Sequence, residues 1–135
     1  MTALSITAAS VLAGSDSSRD NGRAGVAVTA GQVVYKAADG TYKLADANDA
    51  SAIVRKPKGI ALHAAAINQP LAVHLKGSIT VGATVTPGVA YYLGGTAGTI
   101  VPVGDLTTGD HPAFLGMATS ATEIDIEIQS PDAAL

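Results

Sequence analysis

The chain is patterned in twos. In EIDIEI, residues 123–128, Ile124, Ile126 and Ile128 point one way and Glu123, Asp125 and Glu127 the other, the period of a half-buried strand. LAVHLK, residues 71–76, repeats the alternation, with Leu71, Val73 and Leu75 inward and His74 and Lys76 outward, before Gly77 punctuates the run and SITV continues it. YKAADGTYKL, residues 35–44, sets Asp39-Gly40 between two β-prone runs. Asp-Gly accepts the positive φ angles of a tight turn, so a hairpin is predicted there. Further strands are predicted at residues 26–29, 52–54, 59–63, 89–93, 99–103 and 113–118, each bounded by Gly, Pro or Asp. The alternation of Leu4, Ile6 and Ala8 predicts another near the start. Residues 44–54, rich in Ala and Asp, read as a loop holding one or two helical turns at most.

Two stretches break the pattern. SDSSRDNGRAG, residues 15–25, has no apolar side chain but Ala24 and cannot bury enough surface to offset chain entropy. It predicts a flexible arm that orders against a partner, and SPDAAL, residues 130–135, predicts a similar tail. The expected organisation is an N-terminal strand and flexible arm over 1–25, a single β-domain over 26–129 and a tail over 130–135.

The chain also repeats itself. VTAGQVVYKAADG begins at Val28 and VTPGVAYYLGGTAG at Val85. Val28 and Val85, Thr29 and Thr86, Gly31 and Gly88, and Tyr35 and Tyr92 all share an offset of 57, as do Gly59 of GIAL and Gly116 of GMAT. The expectation is an all-β fold, a compact β-barrel or β-sandwich, made of two duplicated halves with pseudo-twofold symmetry. A lipoyl-type carrier domain is also doubled, but it needs a lysine at its hairpin tip, where this chain has Asp39-Gly40.

Composition narrows the function. A length of 135 residues fits one domain. With no Trp and a single Phe, Phe114, the core is built from small and branched side chains. Eight Lys and Arg against eleven Asp and Glu give a formal charge of -3, no field for a phosphate backbone, so nucleic acid is not an expected partner. The absence of Cys removes disulfides and thiolate zinc sites and suits a reducing cytoplasm. MTALSITAASVLAG lacks the Lys or Arg of a secretory signal, and no run of 18 apolar residues predicts a membrane span.

Candidate chemistry is sparse. His63, His74 and His111 stand at no metal-ligand spacing, and Asp105 and Asp110 around Gly109 read as turn formers, so no metal, cofactor or enzymatic role is expected. GGTAG, residues 94–98, lacks the following GK[ST] of a phosphate loop. Binding residues are easier to nominate. RKPKG supplies Arg55, Lys56 and Lys58, and the polar arm supplies Arg19 and Arg23, for an acidic partner. Tyr91 and Tyr92 are adjacent, so in a strand one ring faces the core and the other is free to anchor an interface or stack on a sugar.

From residue 24 to residue 128 the order of phrases resembles the small capsid decoration, or cement, proteins of tailed bacteriophages. VTAGQVVY supplies a turn, GIALHAAAINQPLAVHLKG a first unit, VTPGVAYYLGGTAGTIVPVGDLTTGDHPAFLGMA a second, and EIDIEI a final alternating strand. Ile67, Asn68 and Gln69 stand where a Gly would precede the Gln. The resemblance implies a β-module bound in many copies to the outer surface of an icosahedral shell. Its partners would be the major capsid protein and itself, as a trimer in preference to a dimer. It would be made in the host cytoplasm and carried on the virion. A tail or baseplate component and a carbohydrate-binding module are the alternatives.

Overall fold

The computed structural model describes residues 4, 6, 11–14, 17–47, 49–106 and 111–129. These form an all-β protein with no α-helix among the described residues: one strongly curled antiparallel sheet shaped as a half-barrel. Its strands are β1 (Val11–Ala13), β2 (Ser18–Arg23), β3 (Val33–Lys36), β4 (Tyr42–Leu44), β5 (Gly59–Ala61), β6 (Pro70–Val81), β7 (Ala90–Leu93), β8 (Ile100–Pro102), β9 (Phe114–Ala118) and β10 (Glu123–Gln129). A short 3-10 turn, Val103–Asp105, follows β8.

The twelve-residue β6 is the spine. His74 is paired with both Arg19 and Ile60, Lys76 with Ser18 and Glu127, and Thr80 with Leu12 and Glu123. One edge of β6 therefore carries β1 and β2, and the other carries β5 and then β10. Gly77, at φ +93°, lies just inside the β10 pairing, opposite Ile126 and three residues past the last β5 pair at His74. That backbone region is open to glycine at little steric cost, so the strand can bend there and pass from one neighbour to the next.

Two half-sheets fan out from this bend, in the order β4-β3-β5-β6-β10-β9-β7-β8. The order reads alike from both ends, and the β3–β5 register matches that of β7–β9. Val34 opposes Gly59 and Val33 opposes Ile60; adding 57 to each number gives Tyr91 opposite Gly116 and Ala90 opposite Met117, which are also paired. The Gly31 N–H bonds the Ala61 carbonyl at 2.8 Å, and the Gly88 N–H bonds the Ala118 carbonyl at 2.9 Å. Both glycines are left-handed, at φ +89° and +82°. Gly59 and Gly116 are matched as well, since a Cβ on either would fall on a neighbouring carbonyl oxygen, that of His74 or of Asp125. The match stops at the hairpins, where Tyr35 opposes Lys43 but Tyr92 opposes Val101, one residue out of step with the offset of 57.

Packing makes the halves unequal. Val28, Val34, Tyr42, Ala61, Leu71 and Val73 fill the curl of the first half. The opposite face of the same strands, with Val33, Tyr35 and Ile60, packs into a larger core with Leu93, Leu115, Ile124 and Ile126 of the second half. β3 and β5 are buried on both faces, which is why VVY and GIA are continuous apolar runs without alternation.

The predicted arm is a correction. Ser15 and Asp16 lie outside the described residues, but Ser18–Arg23 is a strand along β6, and Ala24 is fully buried. Its order comes from main-chain pairing to an open sheet edge, a source of stability that side-chain composition does not register. Ala24 and Gly25 carry on to β4 through a parallel bridge from Ala24 to Tyr42 and a 2.7 Å bond from the Gly25 N–H to the Tyr42 carbonyl. At the other end of the sheet, the Leu4 N–H bonds the Ile100 carbonyl of β8 at 2.8 Å. The N-terminal segment is a strap that touches the spine and both outermost strands.

Other expectations also shift. The hairpin at Asp39-Gly40 forms between β3 and β4, with Gly40 at φ +86° and the Asp39 carboxylate accepting from the Thr41 N–H and hydroxyl. Residues 26–29 give only an isolated bridge from Val28 to Ala65, and residues 52–54 lie in turns without a helix. His74, expected outward, is fully buried, because the second half covers the face that would otherwise meet water; its Nε2 lies 2.8 Å from the Gly77 carbonyl. Of the first predicted strand only Leu4 and Ile6 are described, both packed on the larger core; the 130–135 tail lies outside the described residues.

Candidate functional site

Charge is divided along the chain. All eight Lys and Arg lie between Arg19 and Lys76, and none follows. Beyond Lys76 the chain carries six carboxylates, Asp105, Asp110, Glu123, Asp125, Glu127 and Asp132. The formal charge is thus +3 up to Lys76, where eight cations meet five anions, and -6 beyond it. The border falls where Lys76 of β6 faces Glu127 of β10.

On the basic half, Arg23 and Lys36 line an open cleft of about 540 Å³ with Asp20, Asn21 and Asp39. Beneath it the Tyr42 ring is fully buried against Gly22, where a Cβ would come within 2.7 Å of the ring. The Tyr42 hydroxyl donates to Asp20 Oδ2 at 2.5 Å, and Lys36 Nζ stands 3.9 Å from the same oxygen and 5.8 Å from the ring centre. The Tyr42 hydrogen bond, aided by Lys36 and opposed by partial desolvation, holds the Asp20 carboxyl below its ordinary value. Burial, then the bond to Asp20, pushes the Tyr42 phenol well above its own. This cluster fastens β2 to the first half through side chains, and it lies where chemistry was not sought in the sequence. The signal was available: Asp20 is the one carboxylate in SRDNGR.

The nominated basic residues are spread over the same half. Arg19 and Arg23 are exposed on β2, opposite His74 and Pro70. Arg55 is half-buried, its Nη1 donating to the Asp49 carbonyl at 2.9 Å. Lys56 and Lys58 are exposed, and Lys58 is close enough to Asp20 to help lower its pKa. Lys58, Lys36 and Arg23 therefore gather about Asp20. Ile53, 44% exposed, stands just ahead of the basic run.

The tyrosine pair divides as strand geometry requires. Tyr91 is the inward member, 3% exposed, its hydroxyl accepting from the Thr86 N–H at 3.0 Å, and this corrects its nomination as a contact residue. Tyr92 points outward and meets Phe114 edge-on, ring centres 5.6 Å apart. With Pro112 and Gln129 these rings line a shallow cleft of about 370 Å³. Gln129 pairs with Phe114 and Phe114 with Tyr92, while Asp125 pairs with Met117, 47% exposed, so cleft, methionine and carboxylates share one sheet face. Glu123, Asp125 and Glu127 make no ion pair among the described residues.

Among the described residues no group of His, Asp and Glu could hold a metal ion. His63 bonds locally, its Nε2 accepting from the Ala72 N–H at 3.0 Å. No helix among the described residues is long and apolar enough to cross a membrane. No protein-family model and no curated protein matches the chain.

Proposed function

We propose that this protein is a structural component of a phage head, bound to the outer surface of an icosahedral shell and bracing contacts between capsomers. The observation that carries the reading is the order of β-turn phrases from Ala24 to Ile128, which resembles that of decoration proteins. The fold supports it. A sheet whose spine is paired along one edge by its own N-terminal strap, which also bonds to both outermost strands, presents less open edge, so copies can crowd with less edge-to-edge pairing. Weak contacts from exposed Arg19, Arg23, Lys56 and Lys58, repeated over many copies, add up by multivalency. The matched registers of β3–β5 and β7–β9 support an origin by internal duplication.

In this reading the partners are the major capsid protein and further copies of the chain, as a trimer in preference to a dimer. No catalysis, cofactor, nucleic acid or membrane has a part. The test is the copy number per major capsid subunit in purified virions, by quantitative mass spectrometry. A ratio near one, or a simple fraction of it, is expected. A few to a few dozen copies per particle would move the protein to the tail or baseplate, and absence would overturn the reading.

One observation favours a second reading, a carbohydrate-binding module: the Tyr92–Phe114 cleft, with the Gln129 amide beside two aromatic rings. Glycan binding abolished by Tyr92→Ala and retained in Tyr91→Phe would support it.

A further inference from the structure

The outer face of β7, β9 and β10 sets an apolar cleft and an exposed methionine beside carboxylates. Tyr92, Phe114 and Pro112 frame its cleft, Met117 stands exposed, and Asp125 and Glu127 lie alongside. Lys76 of β6 is the register neighbour of Glu127, but neither Asp125 nor Glu127 makes an ion pair among the described residues, and no Lys or Arg follows Lys76 in the chain. The surface with the opposite character is on the same chain. The loop before β5 presents exposed Ile53, then Arg55, Lys56 and Lys58.

We infer that this face docks a second copy of the same chain, the Ile53–Lys58 loop of one copy lying on the β7–β9–β10 face of the next. The match is chemical at two levels. A branched aliphatic side chain suits a cleft walled by two aromatic rings and a proline, and lysines to its C-terminal side suit Asp125 and Glu127. An apolar anchor ringed by opposite charges is the usual anatomy of a specific contact. Charge also sets orientation. The cation-bearing stretch up to Lys76 repels its own kind, as does the carboxylate-only stretch beyond it, whereas unlike stretches attract, so copies meet with opposite charge in contact. This contact rests on the capsid reading for its self-association and gives that self-association a surface; a failed docking test leaves the copy number on the shell untouched.

The experiment uses the full-length chain in sedimentation velocity at 50 and 500 mM NaCl. The parent should self-associate, with a dissociation constant at least tenfold weaker at the higher salt. Asp125→Lys with Glu127→Lys, and separately Lys56→Glu with Lys58→Glu, should each weaken association tenfold or more. All four changes in one chain should restore it to within threefold of the parent, because the reversed face again meets a reversed loop. A monomeric parent at 100 µM in low salt (a concentration of order ten times a weak contact's dissociation constant) would overturn the inference. So would a fourfold variant no better than either pair. Carbodiimide cross-linking of mixed light and isotope-labelled parent needs no variant to fold. Mixed-isotope links joining Lys56 or Lys58 to Asp125 or Glu127 are expected, and their absence would also overturn it.

Discussion

Replacing Gly116 with alanine puts the fold to a direct test. β9 crosses β10 so closely there that a methyl group would fall on the Asp125 carbonyl oxygen and lie 3.0 Å from the Ile124 side chain. The oxygen is main chain, fixed by the sheet, and no rotamer can move it aside. β9 must retreat by roughly 1 Å to reach ordinary contact, which overpacks the core behind it and stretches ladder hydrogen bonds on either side. Overpacking costs about 1–3 kcal/mol and a strained or lost hydrogen bond about 1 kcal/mol, so the expected loss is about 2–4 kcal/mol. With an unfolding entropy of about 0.3 kcal/mol/K for a chain of this length, Tm should fall by about 7–13 °C. Differential scanning calorimetry reads this directly. Gly59→Ala, set against the His74 carbonyl, should behave alike, whereas Gly40→Ala, with open space but φ +86°, should lose only about 1 kcal/mol, or about 3–4 °C. A Gly116→Ala protein melting within 2 °C of the parent would refute the close approach, and a Gly59→Ala protein unlike it would refute the equivalence of the two half-sheets.

Three further outcomes are expected. Because its pKa is lowered in the folded state, Asp20 contributes stability that is present above the ordinary aspartate value of 3.8 and is lost as pH falls through its folded value. The raised Tyr42 phenol contributes stability that is full below 10.0 and declines as pH rises beyond it. Tyr42→Phe should therefore flatten both the acid and the alkaline limbs of a stability-against-pH curve from urea titrations, and unchanged limbs would contradict the Asp20–Tyr42 bond. Tyr91→Ala should cost about 3–5 kcal/mol as a large buried ring is lost, and Tyr92→Ala clearly less, compared by thermal melts. Deleting residues 1–23 should expose one edge of β6 along its length and yield associating, β-rich material on size-exclusion chromatography; a stable monomer would argue against the strap.

What the sequence disclosed follows from where each strand keeps its signal. β10 was legible because its faces differ, isoleucine against core and carboxylate against water. The β3–β4 hairpin was legible because Asp39-Gly40 has few other uses. β2 was not, since SRDNGR earns its place through main-chain bonds to β6 and through Gly22, whose missing side chain makes room for Tyr42. His74 misled because alternation within a strand cannot reveal that another half-sheet lies over its polar-looking face. For the candidate surfaces, adjacency of Tyr91 and Tyr92 required one inward ring without saying which. The absence of Lys and Arg after Lys76 can be counted from the sequence, but it acquires meaning only once that stretch forms one half of a sheet.

The strap has a consequence in time. Val11–Arg23 leaves the ribosome roughly 50–70 residues before the β6 positions it pairs with, a delay of ~3–14 s at ordinary rates of synthesis. Throughout that interval its main-chain groups have no partner in the sheet, and the polar composition of Ser18–Arg23 is what allows that strand to wait without clumping. A stretch made before its partner is then fastened only after it, and the spelling that disguises β2 as an unstructured arm keeps it harmless until its place exists.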